Sequence, residues 1–205
     1  MLSLAFEDGD AQFGRRYFTL IGNSFTLAAL TAFFAVLLAV LVAYAVRLKP
    51  SLLVRLATRV ASLGYAVPGS IIAIGVLLPF AWFDNQLDRW MTAQFGLSTG
   101  LLLTGTVAAL IFAYLVRFLA VALQSIESGL GKIRPSMDEA ARSLGRGPFA
   151  TLRTIHGPLM RGSLLTAALM VFVDVMKELP ATLLIRPFNF DTLAVQAHNL
   201  AADER

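Results

Sequence analysis

Three charged side chains stand close together in an apolar stretch near the C-terminal end of the chain. Asp174, Lys177 and Glu178 fall inside residues 163–185, a segment long enough to be a membrane helix. Asp174 and Glu178 are four residues apart and would share one helix face, and Lys177 is three residues from Asp174, within pairing distance. The three groups could line a polar translocation path, or they could neutralise one another where the helix packs against a neighbour.

The cost of placing these charges in lipid decides which surroundings they need. A charged residue near the centre of a membrane helix costs about 2.5–3.5 kcal/mol, so three cost about 8–10 kcal/mol. The eleven Leu, Ile, Phe and Val residues of 163–185 return about 3–7 kcal/mol on the same scale. The charges must therefore face protein or water. Pro180 cannot donate a hydrogen bond to the carbonyl of Met176, so we expect a looser helix there.

The composition indicates that lipid is the solvent for much of the chain. Of its 205 residues, 57% are hydrophobic and only 15% are charged. A water-soluble fold of this size has no interior large enough for that much apolar sequence. A soluble enzyme and a disordered chain are thereby excluded, and the absence of cysteine excludes disulfides and thiol chemistry.

Four apolar segments are long enough to cross a hydrocarbon core of about 30 Å as helices. We predict an all-α, polytopic helical bundle that forms a single transmembrane domain over residues 1–205. The predicted spans are residues 25–46, 60–83, 101–123 and 163–185.

The distribution of Lys and Arg predicts the orientation of these spans. Ten of the 17 basic residues fall in 47–59 and 124–162, and five fall on the other side. By the positive-inside rule the two basic loops are cytoplasmic, so both termini and the tail 186–205 lie outside. Arg117 lies inside the third span, and we expect its long side chain to reach the membrane interface.

The N-terminus has no basic segment or signal peptide that would carry it to the outer side. We therefore expect the chain to be a piece of a longer membrane protein. At least one further span would precede it and another would follow it, which makes it an incomplete six-span half.

The long loop 124–162 carries helix signals of its own. Ser136 and Glu139 have the spacing of a capping box that opens a short helix, and Gly145 is placed to end that helix. A second short helix is predicted over 149–156, ended by Gly157 and Pro158. The pattern predicts a helix–turn–helix elbow at the membrane surface.

Residues of this elbow resemble a known family motif. The inner-membrane permease components of binding-protein-dependent ABC importers share a loop with the pattern EAA, three residues, G, nine residues, I, one residue, LP. In this chain, Gly157 replaces the leucine of that pattern, and the other positions are in register: Glu139, Ala140, Ala141, Gly145, Ile155 and Pro158. The segments 23–24, 64–70, 174–182 and 186–193 also look like this family, and the last two resemble its ferric-iron subgroup.

The resemblance implies an ATP-driven importer. The elbow would dock in a groove of a cytoplasmic ABC ATPase dimer, with Glu139, Ala140 and Ala141 facing that groove. A periplasmic substrate-binding protein would deliver substrate, and a second permease half, fused or separate, would complete the path in a bacterial inner membrane. ATP would be bound by the partner, so the chain would need no cofactor and would be no enzyme. Residues 129–132 lack the spacing of a phosphate-binding loop.

Ferric iron is the substrate that the resemblance favours, while thiamine, polyamine, sulfate or another small solute stays open. A standalone channel or secondary transporter with Asp174 and Glu178 as an ion relay is the alternative from another class. We predict no catalytic residues, no resident metal site and no nucleic-acid partner. His156 and His198 are on opposite membrane sides in this topology, and ferric iron prefers oxygen ligands, so Asp174 and Glu178 are better placed to meet it than either histidine.

Overall fold

A computed structural model describes residues 15–203, and these residues form helices and no strand. This confirms the all-α prediction. The helices are α1 (Arg15–Leu48), α2 (Leu52–Ser62), α3 (Gly69–Phe95), α4 (Val107–Gly131), α5 (Pro135–Ser143), α6 (Pro148–Met176), α7 (Pro180–Ile185) and α8 (Leu193–Asp203).

Within the described residues, four helices are long and apolar enough to cross a membrane: α1, α3, α4 and α6. The first predicted span, 25–46, lies inside α1. The third is displaced, because 101–106 forms turns and α4 continues to Gly131. Thr106 explains this start, since its Oγ1 accepts the N–H of Ala109 at 3.2 Å and so caps the helix.

The prediction of one continuous helix over 60–83 is wrong. The chain there ends α2 at Ser62, makes a short 3-10 turn over Gly64–Ala66 and begins α3 after Pro68. Proline removes a donor and restricts the residue before it to extended backbone, so a helix ends there. The basic stretch 47–59 is also more than a loop, since Ser51 caps α2 by accepting the N–H of Val54 at 3.3 Å.

The prediction of one helix over 163–185 is wrong at its C-terminal end. The helix α6 ends at Met176, and Pro180 occupies the first turn of α7. A proline is favoured at that position, because the first N–H groups of a helix have no intrahelical partner. Asp174 and Glu178 therefore do not lie on one helix. Since α6 ends here, the charges lie at its end and not at its centre.

The chain divides into two compact units. In its described part, the first contains residues 15–30, 68–114 and 174–203. In this unit α3 packs against α7. Asp84 of α3 is fully buried and accepts the backbone N–H groups of Leu103 at 3.1 Å and Thr104 at 2.8 Å. These bonds hold the segment before α4 against α3.

The second unit contains residues 31–67 and 115–173. Its part of α1 buries a stripe of alanines spaced three or four residues apart: Ala32, Ala35, Ala39 and Ala43. Small residues on one face let membrane helices approach closely. A second close approach occurs at Gly64, where a Cβ would collide with the carbonyl oxygen of Val116 in α4.

Candidate functional site

The elbow consists of residues 135–156: helix α5, the turn after it and the first two turns of α6. Pro135 is the first residue of α5, and Arg134 precedes it without a side-chain capping bond. The predicted capping box between Ser136 and Glu139 is therefore wrong. Pro135 begins the helix one residue earlier, because its fixed φ suits the first helical position.

The end of α5 is the turn that the sequence predicts. Gly145 has a φ of 73°. Its N–H donates to the carbonyl of Arg142 at 2.9 Å, and the N–H of Arg146 donates to the carbonyl of Ala141 at 2.9 Å. This pair of bonds is a Schellman motif, which needs a left-handed residue that glycine supplies without strain.

The elbow presents a mixed surface. Glu139 and Ala140 are exposed and Ile155 is half-buried. Ala141 is buried, so the expectation that it faces a partner groove with Glu139 and Ala140 is wrong. Leu144 and Phe149 stand out, with 79% and 75% of their surface exposed. Large apolar side chains that remain exposed are typical of a protein-docking surface, and we name exposed Glu139, Leu144 and Phe149 the docking face.

The second arm of the elbow does not end at Gly157 and Pro158, so the prediction of a separate helix over 149–156 is wrong. A π-helical turn over Leu152–His156 joins the first turn of α6 to the rest of that helix, and the N–H of Gly157 donates to the carbonyl of Leu152. Pro158 lacks an N–H, and the change of register in the π turn accommodates it. The elbow thus continues directly into a membrane helix.

A charged network fastens the elbow to α1. The Nε and Nη2 atoms of Arg47 donate to Oδ2 of Asp138 at 3.0 and 2.7 Å. The other oxygen, Oδ1, lies 3.0 Å from Nε2 of His156, which is fully buried in the π turn. Tyr44 packs edge-on against the His156 ring and donates its hydroxyl to the carbonyl of Pro148 at 2.8 Å.

Arg117 does not simply extend to the membrane interface, as its position in the sequence suggested. It lies in the middle of α4, and its Nη1 donates to the carbonyl of Val67 at 3.2 Å, directly before the Pro68 break. A carbonyl released by a helix break needs a donor in a membrane. Arg117 supplies one, and its guanidinium also lies over the ring of Phe118.

The charged residues at the end of α6 have local partners. Lys177 Nζ lies 2.8 Å from Asp174 Oδ1, as their spacing of three predicts. Glu178 is buried, and its Oε1 accepts the N–H of Ala181 at 3.3 Å in the first turn of α7. The Thr182 hydroxyl donates to the backbone carbonyl of Glu178 and is also bonded to Tyr114.

The segment after α7 is fastened to α1. Ser24 accepts the N–H of Leu193 at 2.8 Å, and Asn23 donates to the carbonyl of Asp191 at 3.1 Å. Asp191 also pairs with Arg186. The predicted tail 186–205 thus begins as an anchored loop and continues as α8. Among the described residues, no three His, Asp or Glu side chains come together in a group that could hold a metal ion.

The sequence model of one family matches residues 35–197, which is most of the chain and includes the whole elbow. That family is described as the binding-protein-dependent transport system inner membrane component. The chain belongs to this family. With four apolar helices, this inner membrane component is a multi-pass membrane protein.

Several curated proteins are similar to this inner membrane component. An Fe(3+)-transport system permease protein of Haemophilus influenzae is 28% identical over 91% of the chain, and a ferric transport system permease protein of Actinobacillus pleuropneumoniae is 27% identical over 78%. A protein named as a 2-aminoethylphosphonate transport system permease in Salmonella typhimurium is 26% identical over 86%. The matches span 34%, 21% and 61% of these proteins' lengths, respectively.

The network around Asp138 is not evident from the sequence. In the sequence Arg47 is only one of the basic residues that predict orientation, and His156 is only an isolated histidine. The partners Arg47 and Asp138 are 91 residues apart, so no local spacing connects them. The sequence contains only weak signals of this network. Asp138 directly precedes Glu139, His156 lies inside an apolar helix, and both side chains need a partner when they are buried.

Proposed function

We propose that this inner membrane component is the permease of an ATP-driven importer, and that its elbow docks in a groove of a cytoplasmic ABC ATPase. The docking face of Glu139, Leu144 and Phe149 is the observation that supports this. It stands between two membrane helices, and the Gly145 turn displays it. A groove with apolar walls and a cationic rim would complement it.

Copurification tests the docking. The protein is solubilised from its native membrane in mild detergent and its partners are identified by mass spectrometry. We expect an ABC ATPase that is lost with Glu139→Lys, because the new charge opposes a cationic rim. Glu127→Lys is the matched control, since it makes the same change at an exposed glutamate of α4. An ATPase that stays bound in both variants, or no ATPase with the unchanged protein, would count against this proposal.

The energy source separates an importer from a channel or secondary transporter. The purified complex is reconstituted in proteoliposomes with ATP, without ATP, or with a proton gradient alone. We expect uptake only when ATP is present on the side of the membrane to which the ATPase is bound. Uptake that follows the proton gradient and ignores ATP would favour an ion relay through Asp174 and Glu178.

Ferric iron is the substrate that we propose first. Two similar proteins are named for ferric or Fe(3+) transport. The carboxylates Asp174 and Glu178 offer the hard oxygen ligands that this ion prefers, and we propose that they border its path. Uptake of radioactive iron(III) delivered by a periplasmic binding protein tests this directly.

A 2-aminoethylphosphonate is the second candidate, and a cleft in the second unit favours it. The cleft has a volume of about 950 Å³, and its polar lining includes Ser128, Ser163 and Thr166 with the cations Lys132 and Arg134. Hydroxyl groups and cations suit a phosphonate better than a bare metal cation. Competition of unlabelled 2-aminoethylphosphonate with labelled iron uptake, and direct uptake of each, decide between the two.

We further propose that a second permease half completes the path and that both termini face the periplasm. The chain contains no cysteine, so single introduced cysteines report sidedness without background. A membrane-impermeant maleimide added to intact spheroplasts should label Asn189→Cys and spare Leu144→Cys. Both positions are exposed, so the reverse labelling pattern would overturn this topology.

A further inference from the structure

The side chain of Arg47 reaches three structural elements at once from the end of α1. Besides the two bonds to Asp138 in α5, its Nη1 donates to the carbonyl of Leu130 at 2.7 Å and its Nη2 donates to the carbonyl of Ile133 at 2.9 Å. These carbonyls lie at and just after the C-terminal end of α4, where the helix dipole favours a cation. One guanidinium therefore joins α1, the end of α4 and the elbow.

Asp138 also lies close to the other arm of the elbow. Its Oδ2 accepts from Arg47, while its Oδ1 faces Nε2 of His156. The side chains of Arg47 and Asp138 are only 17% and 21% exposed, and His156 is fully buried. Ion pairs that are shielded from water and share several donors hold one geometry more firmly than exposed pairs do.

We propose that Arg47, Asp138, His156 and Tyr44 form a clamp that makes the elbow and α1 move as one body when the ATPase displaces the elbow. This inference rests on the proposed docking of the elbow. The clamp uses both arms: Asp138 lies in α5, while His156 and the carbonyl that accepts from Tyr44 lie in α6. A push on either arm therefore reaches the same end of α1.

These are positioning residues, because none of them belongs to the exposed docking face. Without the clamp, the elbow keeps its Schellman turn and its exposed Glu139, so the ATPase still has its docking surface. The loss should appear in the transmission of movement. Hydrolysis would continue, but less substrate would cross the membrane for each ATP hydrolysed.

The test compares Arg47→Gln, Asp138→Asn and the double variant in the reconstituted complex. Three quantities are measured for each: ATPase bound, ATP hydrolysed, and labelled iron(III) or 2-aminoethylphosphonate taken up, whichever the unchanged protein transports. We expect the bound ATPase to remain and the uptake per ATP to fall about fivefold or more. The double variant should lose no more than either single variant, because both remove one unit.

Two controls separate the clamp from general damage. Arg55→Gln removes an exposed arginine of α2 whose side chain makes no hydrogen bond or ion pair with the described residues, and it should leave the ratio unchanged. Arg47→Lys keeps the charge without the branched donors, so it should fold and still lose much of the ratio. Of the side chains compared at position 47, only arginine should give the full uptake per ATP hydrolysed.

If uptake and hydrolysis fall in parallel and the ATPase is released, the proposed transmission of movement is wrong. The four residues would then serve only to fold the elbow. Unchanged uptake per ATP would also overturn the proposed transmission. A failure of the proposed docking is distinguishable, because the unchanged protein itself would then copurify no ATPase and show no ATP-dependent uptake.

Discussion

Charged side chains are held differently in the elbow and at the end of α6. In the elbow, Asp138 is shared between Arg47 and His156, and one of these partners lies 91 residues away. At the end of α6, Asp174 pairs with Lys177 only three residues on, and the lysine side chain is 69% exposed. Both regions place carboxylates beside long apolar helices, and in the first region the network joins segments that are far apart in the chain.

The difference indicates what each pair can do. A local pair lowers the cost of its own charges and constrains little beyond one helical turn. A shielded network between distant segments fixes the relative positions of the helices that carry it. Changes in the elbow should therefore strongly affect the coupling of ATP hydrolysis to uptake, and changes to the pair of Asp174 with Lys177 should affect it weakly.

The largest effect is expected from Gly145→Asp. A non-glycine residue in the left-handed region costs about 1–2 kcal/mol, and the new charge lies next to the docking face. We expect uptake to fall about tenfold or more, because the strained turn and the new charge both disturb the coupling of the elbow to its partner, and such couplings typically amount to about 1–3 kcal/mol. Gly147→Asp adds the same charge on the elbow at a φ of −73°. Equal, undiminished uptake in both variants would contradict a role for this turn.

A smaller loss is expected from the pair Asp174→Asn and Glu178→Gln. If the two carboxylates border the path, uptake should fall several-fold while the protein stays in the membrane. Asp203→Asn serves as the control, because it neutralises an exposed carboxylate in α8. Normal uptake in the double variant would instead support the interpretation of a self-neutralised cluster that only packs.

Arg117→Leu extends the comparison to a third charge. The carbonyl of Val67 loses its donor, and an unsatisfied buried polar group costs about 1–3 kcal/mol. We expect a lower unfolding temperature in detergent than for Arg55→Leu, which changes an exposed arginine. Equal unfolding temperatures would show that the break before Pro68 does not depend on Arg117.

The smallest effect is expected from Lys177→Gln. Exposed ion pairs contribute about 0–1 kcal/mol, because water screens them and the long side chain loses entropy. The unfolding temperature should change little, and uptake per ATP should stay close to that of the unchanged protein. A loss as large as that of Asp138→Asn would remove the distinction between the two regions.

Much of the fold was predictable from local signals. The apolar segment 25–46 lies within α1, and Gly145 has the left-handed backbone expected at the end of α5. The errors occurred where a helix boundary depends on proline or on a distant donor. The Pro68 break and the start of α5 at Pro135 follow from the local properties of proline. The continuous α6 through Pro158 depends on the π turn, which changes how neighbouring carbonyls and N–H groups are satisfied.

The candidate site divides in the same way. The motif residues Glu139, Ala140, Ala141 and Gly145 are close in sequence, so their spacing alone located the elbow. The clamp residues Arg47 and His156 carry no such signal, because each gains its meaning from Asp138. Spacing predicted the pair of Asp174 with Lys177, because these two residues are three apart in the sequence. Spacing could not predict the clamp, because Arg47 and Asp138 are 91 residues apart.

The sequence by itself determined that this chain is a membrane protein, that an elbow joins two of its apolar helices, and that Gly145 ends the first arm of that elbow. Hydropathy and backbone conformation are properties of neighbouring residues, so they can be read without a fold. Only the tertiary structure decided that Arg47 fastens the elbow to α1 and that Arg117 supports the Val67 break. Those bonds join segments far apart in the chain, and they exist because packing brings a buried charge to the acceptor that it needs.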